Sequence, residues 1–218
     1  MRVALSTAGG IFFQKQRSRK PKQKVELNTP PMRKLIYGIN ITLDGCIDHT
    51  KGAAGDDVHE FFAQLMHETD TVVYGRTTYE LMVPFWSDFA ENFSGPPNAT
   101  NEFAKAFDDL NNIVVFSKTL EAAGSENTTI LRGNLKEEIL KLKLQPGKSI
   151  MTGGVSIPSQ LMKIGLIDEY IFVVQPVIVG VGRRLFDHVG LPERLDLKLV
   201  ETMVLVSGSV VLHYAKQE

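Results

Sequence analysis

The stretch Thr71-Val-Val-Tyr-Gly-Arg-Thr-Thr-Tyr-Glu80 carries a β-branched run into Gly75 and then places Arg76, Thr77 and Thr78 at the start of a helical pattern. A helix N-terminus presents unpaired backbone N–H groups and about half a positive charge, so a phosphate held there gains hydrogen bonds and dipole attraction together. Gly75 permits close approach of the backbone, Arg76 adds a forked donor, and the two threonines add hydroxyls. The same residues would also suit an ordinary strand-to-helix turn with a surface arginine. A second site of similar kind follows in Lys148-Ser-Ile-Met-Thr-Gly-Gly-Val-Ser-Ile157. There a short strand leads to Gly153 and Gly154, then to Val155 and Ser156 at another helix start, with Ser156 expected as the cap and Pro158 in the first turn. A third strand, Ile113-Val-Val-Phe-Ser-Lys118, leaves Ser117 and Lys118 at its exit, and Arg132 follows the strand-like run from Thr128 to Leu131. Open α/β sheets bind ligands at the carboxyl ends of their strands, and these exits bring anion-binding groups there. The fingerprint Gly-x-Gly-x-x-Gly follows none of the strands, which removes the main support for a Rossmann domain.

These groups need a scaffold, and from Met32 the pattern alternates strand and helix. Lys34 to Thr42 is apolar and β-branched and ends at Asp44-Gly45, a strand entering a tight turn. The loop to Asp56 contains Gly52, Ala53, Ala54 and Gly55. Asp56 or Asp57 is expected to cap a helix that carries Val58, Phe61, Phe62, Leu65 and Met66 at helical spacing. Beyond Pro84 the pattern loosens, with Phe85, Trp86, Phe89 and Phe93 ahead of Ser94-Gly-Pro-Pro97, and a helix is expected over Asn98 to Leu110. The aromatic group suits the floor of a pocket for a planar ring, or simply core and subunit contact. Asn134 and Glu137 form a capping-box pattern for a helix over Leu135 to Leu144. Long strands over Tyr170 to Val179 and Leu195 to Val206, then a turn at Ser207-Gly208, depart from strict alternation and place antiparallel strands at one side of the sheet.

Composition narrows the function classes. A chain of 218 residues with 43% hydrophobic content buries one substantial core. Residues 1–31 hold seven lysines and arginines against Glu26, so the net charge of −1 divides into +6 there and −7 beyond. That basic segment lacks periodicity, ends in Pro30-Pro31, and is expected to be a disordered leader; residues 32–218 form the domain. The mildly acidic body argues against nucleic acid as a partner. No apolar run is long enough to cross a bilayer, and a lone cysteine, Cys46, suits a reducing compartment, so a cytoplasmic protein is expected. His59-Glu60 invites a zinc reading, but Ala63 stands where the second histidine would have to be, and no metal is expected.

Taken in order, Leu43-Asp-Gly, Val-Val-Tyr-Gly-Arg-Thr-Thr-Tyr-Glu, Phe-Ser-Lys, Thr-Gly-Gly, Gly165-Leu-Ile-Asp-Glu169, Gln175-Pro176 and Gly180-Val-Gly-Arg-Arg-Leu-Phe186 resemble the dihydrofolate reductase superfamily. Within it the chain is most similar to the group related to the C-terminal reductase domain of the bifunctional riboflavin-biosynthesis enzyme. The resemblance runs from about Met32 to Lys216. It implies an α/β fold of three layers, α/β/α, around a mostly parallel sheet with antiparallel C-terminal strands. It implies an NADPH-dependent reductase acting on a small C=N or C=O compound, a pteridine or an aminopyrimidine, and a homodimer. Arg76, Ser117 and Lys118 would hold the 2′-phosphate of NADPH, and Arg132 would join them around a phosphate. Thr77 and Thr78, after Gly75, would hold the pyrophosphate, and Gly153, Gly154, Val155 and Ser156 the nicotinamide side. The loop before Asp56 would cover the nicotinamide. Thr152 stands where the riboflavin-pathway reductases usually carry an acidic residue. Candidate proton donors are Asp44 and Asp57, with water as the alternative source, and Asp44 would equally serve to stabilise the turn at Gly45. A dinucleotide-binding module without turnover, or a dimeric scaffold, is the competing class.

Overall fold

Along the central strands successive apolar side chains point to opposite faces, so both faces are buried and each run reads as continuously hydrophobic. Leu35, Tyr37, Val73, Val114 and Ile150 enter one core, while Ile36, Val72, Tyr74, Ile113, Val115 and Met151 enter the other. The computed structural model describes residues 32–217 except Ala53 and His188. The basic leader expected over residues 1–31 lies outside them. The elements are β1 (Leu35–Thr42), α1 (Asp56–His67), β2 (Thr69–Gly75), α2 (Arg76–Asn92), α3 (Ala99–Asp108), β3 (Asn112–Phe116), β4 (Thr128–Leu131), α4 (Leu135–Leu144), β5 (Ser149–Thr152), α5 (Ser156–Lys163), β6 (Glu169–Gln175), β7 (Leu197–Val204) and β8 (Val210–Lys216).

The sheet has the order β4-β3-β2-β5-β1-β6-β8-β7. From β4 to β6 every pairing is parallel, and β8 and β7 join antiparallel. One core takes Val58 and Met66 of α1, Tyr79 and Val83 of α2, and Phe103 and Phe107 of α3. The other takes Ile139 and Leu142 of α4 and Ile157, Leu161 and Met162 of α5. Two helical layers therefore enclose the sheet, as the sequence implied. Because β2, β3 and β5 are parallel and contiguous, their exits at Gly75, Ser117 and Gly153 lie side by side along one edge.

Three local expectations need correction. α2 does not loosen at Pro84 but continues to Asn92. A proline inside a helix costs about 3 kcal/mol, because it removes one N–H and crowds the preceding turn. Burial offsets this: Tyr79 and Val83 are 4% exposed, and Met82 and Trp86 pack against the same core. Neither Asp56 nor Asp57 caps α1, whose N-cap is Gly55 without a side-chain bond. Ser156 is the first residue of α5, with Val155 at the N-cap position, again without a side-chain bond. By contrast Asn98 and Asn134 cap α3 and α4 through their side chains, the latter on the N–H groups of Lys136 and Glu137.

The opposite edge of the sheet is closed by buried ions. Arg33, 8% exposed, pairs with Asp70 and donates to the Thr71 hydroxyl at 3.0 Å and the Lys148 carbonyl at 2.5 Å. Lys143, 5% exposed, donates to Asp168 at 2.5 Å, which also accepts from the Leu35 N–H at 2.7 Å. Both clusters sit where strands begin, so they fasten the layers without touching the edge where the strands end.

Candidate functional site

Two cavities open at the carboxyl edge. The first, about 570 Å³, is lined by Gly75, Arg76, Thr77 and Thr78 from the β2–α2 junction, by Gly154, Val155 and Ser156 from the β5–α5 junction, and by Phe116 at the end of β3. The second, about 380 Å³, lies beneath it on the α1–α2–α3 side and is lined by Phe62, Met66, Phe85, Trp86 and Phe103, with His59 among them. Asn40, His49, Thr78, Leu81, Met82 and Gly154 belong to both walls, so the two spaces adjoin.

The junctions are shaped by their glycines. A Cβ built on Gly154, whose φ is +74°, would run into the Thr78 hydroxyl, and one on Gly75 would meet Ile157 at 3.2 Å. The β5 exit is further fixed by the Tyr37 phenol, which donates to the Gly154 carbonyl at 2.7 Å. Burial pushes that phenol far above its usual pKa, so it remains a donor. The α2 and α5 N-termini are thereby brought to the same cleft with no side-chain acceptor on either, and neither first turn carries an acidic residue. Such ends attract an anion.

Arg76 is aimed by two contacts, Nε to Glu80 at 2.7 Å and Nη1 to the Thr119 hydroxyl at 2.9 Å. That second contact ties it to the β3 exit, where the Ser117 hydroxyl accepts from the Thr119 and Leu120 N–H groups. Arg132 donates to the Leu120 carbonyl at 2.6 Å. Ser117, Lys118 and Arg132 do not line the cleft; Ser117 and Arg132 bond to the Thr119–Leu120 segment that Arg76 also contacts. Gly153 lies on the wall of the second cavity.

Neither acidic candidate reaches the cavities. Asp44 accepts from the Thr42 hydroxyl at 2.6 Å and from the Gly180 N–H at 2.9 Å, and Arg184 binds its carbonyl at 3.0 Å. The Thr42 and Gly180 bonds hold its carboxyl down to about 2. It is an ionised clamp between the loops after β1 and β6 and a poor proton donor near neutrality, which fits the expected turn-stabilising role better than the catalytic one. Asp57 accepts from the Ser207 N–H at 2.6 Å, a bond that lowers its pKa and ties α1 to the β7–β8 turn.

Several lining residues were not singled out from the sequence. Asn40 is a polar interruption in an apolar strand, a signal that was legible. Asp48 and His49 come from a loop with no motif, and Arg183 from the Gly180 to Phe186 run, where it was not singled out. Asp48 is occupied by the Thr50 hydroxyl and N–H, which lower its pKa. His59, considered above only as a zinc ligand, stacks on Phe103 at 5.9 Å, meets Trp86 edge-on at 5.7 Å and shares a bond with the Thr100 hydroxyl at 2.8 Å. Burial lowers its pKa, so the ring is neutral at pH 7. Cys46 lines the first cleft and is 2% exposed. Among the described residues no three His, Cys, Asp or Glu side chains gather as a metal site.

Comparison with known proteins bears on this arrangement. The uncharacterized protein YyaP of Bacillus subtilis (strain 168) is 30% identical over 191 residues, which covers 86% of this chain and 97% of YyaP. A pyrimidine reductase-like protein of Corynebacterium diphtheriae superposes with a TM-score of 0.60 at 16% identity, covering 89% of this chain and 96% of its own. Dihydrofolate reductase of Enterococcus faecalis, solved with NADP(H), superposes with a TM-score of 0.56 at 16% identity, covering 85% and 97%. The last two establish the shared dihydrofolate reductase-like fold. Residues 33–211 match the model of the RibD C-terminal domain, and the chain belongs to that family.

Proposed function

We propose that the chain is an NADPH-dependent reductase that delivers hydride to a C=N or C=O bond of a small unsaturated compound, with a pteridine or an aminopyrimidine as first candidates. What supports this most directly is the wall common to the two cavities, because it lets a group lying in the first face a group held in the second. The first cleft suits a dinucleotide: Arg76, with Ser117, Lys118 and Arg132, for a 2′-phosphate, and the uncapped starts of α2 and α5 for the pyrophosphate. Gly75, Thr77, Thr78 and the run Gly153 to Ser156 shape the path between them. A bound dihydronicotinamide would supply the hydride and its electron pair. The chain's own part is to orient and to exclude water: the aromatic cavity fixes the acceptor, and the Gly154–Thr78 contact sets how near the two ligands come. Since Asp44 and Asp57 are held as acceptors away from both cavities, the proton that completes the reduction comes from water. The reading includes a cytoplasmic homodimer. The exposed apolar edge strand β7, with Leu199, Val200 and Val204, suits such an assembly.

Loss of NADPH absorbance in the presence of pterins, aminopyrimidines and simple carbonyls is the test. Oxidation that depends on both coenzyme and acceptor supports the reductase. A second reading, a dinucleotide-binding module without turnover, is favoured by the absence of any carboxylate from the described wall of the aromatic cavity. Coenzyme binding without oxidation of any member of the panel would select it.

A further inference from the structure

We infer that the second cavity is built for an uncharged, planar, conjugated ring compound, and that it rejects substrates bearing a phosphate or carboxylate. As a statement of what is reduced, this rests on the reductase reading above. As a statement about binding, it rests on the cavity alone.

Among the described residues, the wall contains no lysine, arginine, aspartate or glutamate. Its larger groups are Phe62, Phe85, Trp86 and Phe103 with Met66 and Met82, and the aromatic rings are packed in edge-to-face contacts such as Trp86–Phe103 at 4.6 Å and Phe85–Trp86 at 4.9 Å. Rings in this arrangement offer faces and edges to a flat ligand, and thioethers adapt to its outline. The polar groups available are few: Asn40, Thr78, His49, the buried Tyr74 phenol, and His59, whose pKa burial lowers. His59 is the best placed of them, held by Thr100 on one ring nitrogen and stacked on Phe103. Such a set can orient one polar edge of a ring, and it offers an anion neither lysine nor arginine. Arg76 and Arg183 line the first cleft and not this wall. An anionic tail on a compound in the second cavity would be desolvated without a cation, a costly arrangement.

The chain carries a single tryptophan, and it stands in this wall. Trp86 fluorescence therefore reports occupancy without any turnover. The full chain is titrated with three pairs: 6-methylpterin against pterin-6-carboxylate, quinoxaline against quinoxaline-2-carboxylate, and menadione against naphthoquinone-2-sulfonate. At least one uncharged member is expected to quench saturably, and its charged partner to bind about tenfold more weakly or worse, the difference of an unpaired buried charge. Phe85→Lys, at a position 57% exposed on the rim, is expected to narrow that ratio by supplying the missing cation. Equal or tighter binding of the charged members, or no saturable quenching by any uncharged one, overturns the inference. NADPH affinity measured on the same samples separates the two proposals. Coenzyme binding with no ring binding sinks this one alone, whereas ring binding with no coenzyme binding sinks the reductase and leaves the cavity's selectivity standing.

Discussion

Gly154 is the residue on which the two cavities turn. Its left-handed backbone and its contact with Thr78 leave no room for a side chain. Gly154→Ala is expected to destabilise the chain by about 1–3 kcal/mol in chemical denaturation and to weaken NADPH, because the β5 exit must move off α2. Unchanged stability and unchanged coenzyme affinity would show that the close approach is incidental. The pairing of Gly153 with Gly154 and the Gly-Arg-Thr-Thr run were legible in the sequence, since both mark strand exits by residue type alone. The roles of Asp44 and Asp57 were not, because whether a carboxylate clamps a loop or faces a cavity depends on partners more than a hundred residues away, at Gly180 and Ser207. The place of His59 was not legible for the same reason: its surroundings, Phe103 and Thr100, come from another helix.

At the scale of elements, the loop after β1 is fastened to the loop after β6 by Asp44, by the Leu43 N–H to the Val177 carbonyl at 2.9 Å, and by the Cys46–Arg184 bridge. The Asp44 carboxyl falls from 3.8 to about 2 on folding, chiefly through the Thr42 bond. A depressed carboxylate contributes stability above its unfolded pKa, and that contribution is lost as pH falls through the folded value. Asp44→Asn is accordingly expected to lower the melting temperature at neutral pH, with the gap to the unaltered chain closing between about pH 4 and 2. A gap that stays constant over that range would show that the bonds do not depend on the charge. Most elements were legible from periodicity, including α4 and β4 at their full lengths. α2 was cut short because a proline outweighs burial when only local sequence is weighed. β6 ends at Gln175 rather than Val179, since Pro176 offers no N–H to continue the ladder.

At the scale of the whole molecule, the two ion clusters that fasten the layers, Arg33 with Asp70 and Lys143 with Asp168, stand at the strand starts, away from the edge where both cavities open. Asp70→Ala leaves a buried guanidinium without its partner and is expected to cost about 3 kcal/mol or more, with NADPH affinity unchanged under conditions where the chain is folded. Coupled loss of affinity in the folded protein would contradict the division. The parallel core and the strand exits at one edge followed from the alternation of strands and helices. The second cavity did not, because it is assembled from three helices whose mutual packing no local pattern records. At the strand-exit edge the proposed reductase requires a dinucleotide held by Arg76. The dissociation constants of NADPH and NADH, read from nicotinamide fluorescence for the unaltered chain and for Arg76→Ala, test it most directly. NADPH is expected to bind about tenfold or more tightly than NADH, and the substitution to erase most of that preference while sparing NADH. Binding of neither dinucleotide, or an equal loss for both on substitution, would contradict it.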